Sequence, residues 1–367
     1  MNLFGQGEWW EDYWRGMPEF IQPDAQPRFS LQVDFASKAA KEEFALLVGQ
    51  KIADTQKQTL SIWHPAAEEV SRLDKRYVCE PKINPRYPVY VISKGRWDLP
   101  LRSSTIKSLE TMGVPYYVAV EPQEADKYAV NVDPKKILVT PFSNLGQGSI
   151  PVRNFIWDHA ISIGAKRHWC MDDNIQGFYR LNKNMKLPAT SGNMFYAMEE
   201  IVDRYENVPI AGPNYWMFVP RKVKHPPFTL NTRVYSCILI DNSCKHRWRG
   251  RYNEDTDLSL RVLRDGDSTM LFYAFVADKT TTMTMKGGNT EELYLIEDGR
   301  LKMAKSLCEQ HPDVATITWK WGRWQHHVNY KPFARNRPRL KAGVTLPEAG
   351  VVNNFGMELH YDNKETV

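Results

Sequence analysis

Apolar positions repeat with two different periods along this chain, and the change between them divides it. Residues 1–28 carry aromatics, Pro and Gln without a regular period and read as an arm, packed on the body or partly disordered. Phe29 to Phe35 alternates apolar and polar, the pattern of a half-buried strand. Ser37 is placed to cap a helix whose stripe is Ala40, Phe44, Leu47 and Val48. Thr59 to Trp63 reads as a second strand stopped by Pro65. The result is a small β-α-β unit within residues 1–85, running into a linker over 64–88 that holds prolines 65, 81, 85 and 88.

From Pro88 the pattern becomes one of short, continuous apolar runs separated by helical stretches. Val89 to Ser93 reads as a strand buried on both faces, followed by a helix with Ile106 and Leu109 that ends at Gly113. Tyr116 to Val120 and Ile137 to Val139 are further strands, with a short helix from Glu124 to Tyr128 between them. Ser149 and Pro151 suit the start of a helix with Phe155, Ile156, Ala160 and Ile163 on its inner stripe. That helix stops at Gly164 and feeds a strand through His168, Trp169, Cys170 and Met171. Residues 175–233 are less regular, with a helix over 194–204. Val234 to Ile240 and Met270 to Val276 are the last core strands, and a helix capped by Asp255 or Thr256 lies between them. Such alternation predicts an α/β fold, a mostly parallel sheet with helices on both faces, over residues 86–285. Residues 286–367 form a C-terminal helix and an extension rich in basic and aromatic residues.

Composition narrows the class. Hydrophobic residues are 42% and charged residues 25%, as in an ordinary globular chain. No apolar run reaches the roughly 20 residues of a membrane span, and Met1 to Trp14 is too acidic and aromatic for a secretory signal. Five scattered cysteines without C-x-x-C spacing point to reduced thiols in a cytoplasm and away from a structural zinc site. The net charge of +5 is mild, so its distribution matters more. Between Val314 and Pro347 there are seven Lys or Arg and no Asp or Glu, interleaved with Trp319, Trp321, Trp324, Tyr330 and Phe333. A second run holds Lys245, His246, Arg247, Trp248, Arg249 and Arg251. Basic and aromatic residues together suit a surface that follows a phosphate backbone and stacks on bases. The candidate acceptor contacts are therefore Arg247, Trp248, Arg249, Arg251, Lys320, Arg323 and Trp324.

The chemistry concentrates in three places. Asp172, Asp173 and Asn174 end an apolar strand, where an open α/β sheet presents its working groups. Two hard oxygen ligands there suit a divalent cation with a bound diphosphate. Arg153 lies in the first turn of the helix that precedes this strand, in outline a phosphate-handling arrangement. Gly146-Gln147-Gly148 lacks the third glycine of a dinucleotide fingerprint, and no Walker A sequence occurs. Glu254, Asp255 and Asp257 open a later helix, more carboxylates than capping requires, so one of them is a candidate general base.

Together the Ser93-Lys94-Gly95-Arg96 strand end, the Pro151-Val152-Arg153-Asn154 helix start, Met171-Asp172-Asp173-Asn174 and Asn253-Glu254-Asp255-Thr256-Asp257 resemble a GT-A fold glycosyltransferase. Within that fold the wording is most similar to the TET/JBP-associated glycosyltransferases of bacteriophages. The resemblance implies transfer of a hexose such as glucose from a nucleotide-diphosphate sugar, UDP-linked, to 5-hydroxymethylcytosine in DNA, in the host cytoplasm if the chain is phage-encoded. It assigns Asp255 as the base with Glu254 beside it, and Asp173 as ligand to Mn²⁺ or Mg²⁺. Asn174 stands where the usual signature has a second acid, a weaker ligand. Asp172 would contact the ribose or uracil end; Ser93, Lys94, Arg96 and Glu121 would surround the nucleotide, and Arg153 the diphosphate. His311, His326 and His327 are candidates for a further metal ligand by order alone, and adjacent His326 and His327 on a strand would face opposite ways. A polysaccharide or protein acceptor, a nucleotidyltransferase, or a non-catalytic nucleic-acid-binding protein are the competing readings.

Overall fold

The computed structural model describes residues 7–52, 62–64, 74–98, 104–280 and 299–361. In chain order its helices and strands are α1 (Lys38–Leu47), β1 (Lys75–Cys79), β2 (Val89–Ile92), α2 (Thr105–Met112), β3 (Tyr117–Val120), α3 (Ala125–Tyr128), β4 (Ile137–Val139), α4 (Ile150–Ser162), β5 (Arg167–Asp172), β6 (Ile175–Asn182) and β7 (Met185–Pro188). They continue with α5 (Asn193–Val202), β8 (Ile210–Tyr215), β9 (Phe228–Leu230), β10 (Cys237–Asp241), α6 (Glu254–Arg264), β11 (Thr269–Lys279), α7 (Gly299–Gln310), β12 (Ala315–Lys320), β13 (Arg323–Val328) and β14 (Met357–Tyr361).

One ten-stranded sheet in the order β4-β3-β2-β5-β10-β8-β11-β6-β7, with β9 also on β11, organises the molecule. Strands β2, β3, β4, β5, β7, β8 and β11 run one way and β6, β9 and β10 run against them. The expected mostly parallel α/β sheet is thus present, with one antiparallel strand, β10, set into its middle. Alternate residues of the central strands point to opposite faces. Trp169 and Met171 of β5 join Ile106 and Leu109 of α2 and Phe195 and Met198 of α5 on one side. Cys170 joins Ile156, Trp157 and Ala160 of α4 and Leu258 and Val262 of α6 on the other. Both faces are covered by helices, which is why these strands read as unbroken apolar runs rather than alternating ones.

The N-terminal β-α-β unit is corrected in part. The Ser37 side chain accepts the Ala40 amide and starts α1 as expected. Phe29 to Phe35, however, forms no strand; Phe29 is 92% exposed and Leu31 84%. Alternation gives a strand only where a pairing edge exists; no strand of the described residues pairs with this stretch, and of its apolar residues Phe35 packs on Phe44 of α1. The second expected strand lies mostly outside the described residues. The arm does pack on the body: Trp14 and Met17 are buried, and Trp14 stacks on Phe228 with ring centres 5.9 Å apart. β1 pairs with β14, so the segments on either side of residues 86–285 meet in a separate two-stranded sheet. The stretch 175–233 is more regular than its sequence suggests. It holds the β6-β7 hairpin, whose turn residues Lys183 and Asn184 both have positive φ, 50° and 56°, as a tight hairpin turn requires.

Candidate functional site

The chain leaves β2 toward β3 and β4 on one side, while β5 lies on the other. Where strand order reverses like this, the carboxyl ends splay and leave a crevice. A cleft of about 430 Å³ opens there. Ser93, Lys94, Arg96, Glu121, Arg153, Asp172, Asp173, Asn174, Glu254 and Asp255, expected around the donor, the metal and the chemistry, all line it. Gly146 and Gly148 lie in its rim with φ of +68° and +67°. Their role is to let a loop turn past the cleft, a left-handed backbone that a side chain resists.

Each acidic residue in the cleft has a distinct environment. The Asp172 carboxylate accepts from Arg153 Nη2 at 2.8 Å, Lys279 Nζ at 2.9 Å and Ser236 Oγ at 2.7 Å. Burial alone would raise its pKa, but Lys279 and Arg153 hold it far below the ordinary carboxylate range. Asp173 accepts from Ser93 Oγ and is ion-paired to Arg96. Burial pushes it above its usual value, against the pull of Arg96. Lys94 bridges Glu121 and Asn144, both at 3.1 Å. Glu254 accepts from Ser149 Oγ at 2.8 Å and faces Arg153 Nε at 3.5 Å. Arg153 itself is buried, with Ser149, Cys170 and Asp172 around its guanidinium and the Trp248 ring 4.7 Å from it. Burial works against its charge, but Cys170, Asp172 and Glu254 more than restore it.

Asp255 differs from all of these. It sits in the first turn of α6, behind an Asn253 cap in left-handed conformation (φ 54°), so the cap precedes the residues expected to provide it. One Asp255 oxygen accepts the Thr256 amide at 2.9 Å. Among the described residues no Lys, Arg or His forms an ion pair with it. Burial and the neighbouring Glu254 push its carboxyl up to about 6, with Arg153 opposing. A carboxylate poised there, facing a cleft, is suited to accept a proton near neutral pH. Asp257, the third acid of the cluster, is fully buried and holds Arg249, Arg261 and His311 Nε2 at 2.9, 2.8 and 2.9 Å. Its role is architectural.

These residues do not fit the expected divalent cation at Asp173 and Asn174. Both Asp172 and Asp173 spend their oxygens on cationic and hydroxyl partners, which leaves only Asn174 Oδ1 of that strand end buried without a hydrogen-bond partner. No group of three or more His, Cys, Asp and Glu among the described residues is arranged to hold a metal. His311 is committed to Asp257, and His327 is exposed, its neighbour His326 facing the cleft as the alternation of a strand requires. Burial, then Arg233, lowers His326 to about 4, so it is neutral at neutral pH.

The two basic runs part company. Trp248 is only 2% exposed, Arg249 is bound to Asp257, and Arg247 is paired with Asp158 and lies 4.8 Å from the Trp157 ring. Of these three expected acceptor contacts, Trp248 is instead folded into the body, while Arg247 and Arg249 keep half-exposed side chains whose charges are answered by carboxylates of α4 and α6. Arg251 does line the cleft. The second run forms the β12-β13 hairpin, turning at Trp321 and Gly322 with φ of 51° and 68°. Lys320 and Trp324 line a further cavity of about 590 Å³ that shares Arg233, Tyr235, Asn253 and His326 with the cleft. Arg323 is exposed at the hairpin tip.

Residues that sequence reasoning missed are Lys279, Ser236, Tyr215 and Arg233. Lys279 is the last residue of β11, three beyond the expected end of that strand. Ser236 and Tyr215 carry no pattern that separates them from ordinary strand residues.

The sequence profile of the TET-Associated Glycosyltransferase family matches residues 87–288, more than half of the chain. No curated protein matches it. Among solved structures, a protein from Desulfovibrio desulfuricans G20 described as a nucleotide-diphospho-sugar transferase is similar over 51% of this chain and 80% of its own, with 9% identity and a TM-score of 0.30. No helix among the described residues is long and apolar enough to cross a membrane.

Proposed function

This chain belongs to the TET-associated glycosyltransferases, and from that premise we propose that it moves a hexose, glucose or a close relative, from a UDP-linked donor to the hydroxymethyl group of 5-hydroxymethylcytosine in DNA. The observation that carries the reading is Asp255. Of the cleft's acids it alone takes part in no ion pair among the described residues, and it faces the same space as Arg153 and Lys279. In the proposed reaction the acceptor oxygen attacks the anomeric carbon while Asp255 takes the hydroxyl proton. The bond from that carbon to the diphosphate oxygen breaks, and the nucleoside diphosphate leaves with the electron pair. Ser93, Lys94, Arg96 and Glu121 hold the nucleotide. A base stacked in duplex DNA cannot reach Asp255, so it enters flipped or single-stranded, through the cavity bounded by Trp321 and Trp324 that adjoins the cleft.

The test is to incubate the protein with hydroxymethylated DNA and a panel of nucleotide sugars, digest, and weigh the nucleosides. A hexose-sized mass gain on hydroxymethylcytosine is expected; no gain with any donor overturns the reading. Asp255→Asn should lower transfer by about 10²- to 10⁴-fold, the usual contribution of general-base catalysis, with donor binding nearly intact. The wild-type rate should fall about tenfold per pH unit below about 6, as Asp255 becomes protonated. Because the folded state raises this carboxyl, Asp255 costs stability as pH rises from its unfolded value through 6. Asp255→Asn should therefore also raise the melting temperature at pH 7.

A further inference from the structure

The mismatch between this cleft and a divalent ion has a positive counterpart. Lys279 ends β11 at the same edge of the sheet as Asp172, and a register shift between Asp278 and Lys279 breaks the β6 ladder there. Bulges of this kind re-aim a side chain. The Lys279 ammonium is thereby carried over the carboxyl end of β8, 5.6 Å from the Tyr215 ring, to within 2.7 Å of Ser236 Oγ and 2.9 Å of Asp172. It lies deep in the cleft, opposite Arg153 across the same carboxylate. Three structural elements thus converge to hold two cations on one acid.

We propose that Lys279 and Arg153 do here what a divalent ion does in a metal-dependent transferase: they bind the donor diphosphate and receive the charge of the leaving nucleoside diphosphate. The inference rests on the nucleotide-sugar reading of the cleft. Asp172 fixes both cations in place before the donor arrives, so little reorganisation is needed when charge develops on the leaving oxygen. The Arg153 guanidinium, already held by Ser149, Cys170 and Asp172, contributes a fixed positive charge behind the site, and the Lys279 ammonium a point charge. Together they bring two positive charges, the charge of one divalent ion. The chemistry stays balanced without metal: the acceptor's proton goes to Asp255, the electron pair of the broken carbon–oxygen bond goes to the diphosphate, and Lys279 and Arg153 keep their protons throughout.

The decisive experiment measures binding of inorganic pyrophosphate and of UDP by calorimetry, with and without EDTA, for the wild type, Lys279→Met and Lys279→Arg. Wild-type affinity is expected to be unchanged by EDTA. Lys279→Met should weaken both ligands about tenfold to a hundredfold, the usual cost of losing one charge-assisted contact, and leave uridine binding unchanged. Lys279→Arg, which keeps the charge, should stay within about fivefold of wild type. A lysine that merely props up Asp172 would weaken uridine and UDP alike, and that outcome overturns the proposal. So does loss of wild-type pyrophosphate binding in EDTA with recovery in Mn²⁺, an arm that depends on no variant folding. If DNA gains no sugar while pyrophosphate binding follows Lys279 without metal, the acceptor assignment fails and this inference stands.

Discussion

Two stretches of this chain mix the same residue types and meet different surroundings. Residues 245–251 and residues 319–324 both interleave Trp with Lys and Arg. In the first, Trp248 is buried beneath Arg153, and the arginines on either side of it are bound to Asp158 and Asp257. In the second, Trp319, Trp321 and Trp324 are 59%, 81% and 40% exposed, and no acidic residue among the described ones pairs with Lys320 or Arg323. The difference lies in what faces each run. The first meets carboxylates from α4 and from the entrance of α6; the second turns outward on a hairpin with no Asp or Glu for many residues around it. A basic run is a binding surface only when the rest of the fold leaves its charges unanswered. That is a property of tertiary neighbours and not of the run.

Removing the acid that answers the first run should have the largest effect. Asp257→Ala leaves Arg249, Arg261 and the buried His311 without their common partner, and breaking a buried ion network typically costs about 3–5 kcal/mol. Urea unfolding should register that loss. Burial would raise the Asp257 carboxyl, but its bonds to His311 and Arg249 hold it down at about 2. The stability it supplies is present above its unfolded value and is lost as pH falls toward 2. A change under 1 kcal/mol at pH 7 would mean that the first run is not fixed in the body as the contacts indicate.

The same dependence on neighbours decides how much of the site could be read from the sequence. Asp172 and Asp173 were legible because an apolar strand has no structural use for two carboxylates at its end. Asp255 was legible because three acids in four residues exceed what a helix start needs, although only the fold separates the free Asp255 from Asp257, which is locked to three cationic partners. Lys279 was not legible. Asp278-Lys279-Thr280 looks like the polar end of a strand, and its position beside Asp172 arises from the sheet order β5-β10-β8-β11, which no local pattern encodes. The same order explains Ser236, whose place opposite Asp172 follows from the antiparallel β10 set among parallel strands. Phe29 to Phe35 failed the other way: its alternation was genuine, but no strand in the described fold pairs with it.

On the exposed hairpin the expected effects are larger on binding than on stability. Trp324→Ala should weaken single-stranded DNA binding by about 1–3 kcal/mol, the usual cost of one stacked base. Its unfolding free energy should fall by about 0.5–1.5 kcal/mol, the worth of its lost edge contact with Trp319. Trp248→Ala should reverse that pattern, with a loss of about 3–5 kcal/mol of stability from the emptied core site. Equal DNA affinity in wild type and Trp324→Ala would show that the hairpin is a solvated face.

The smallest and most discriminating effect concerns salt. Every phosphate neutralised by a cation releases counterions, so the slope of log affinity against log salt counts the contacts made, at about 0.7 per phosphate for single strands. Arg323→Ala should remove one contact, reducing that slope by about 0.7, and weaken binding uniformly across sequences. Arg247→Ala, made in the run whose charges are already answered by Asp158, should leave the slope unchanged. If the slope instead moved with Arg247 and not with Arg323, the assignment of the two runs would be inverted, and the acceptor would approach over α4 and not past the hairpin.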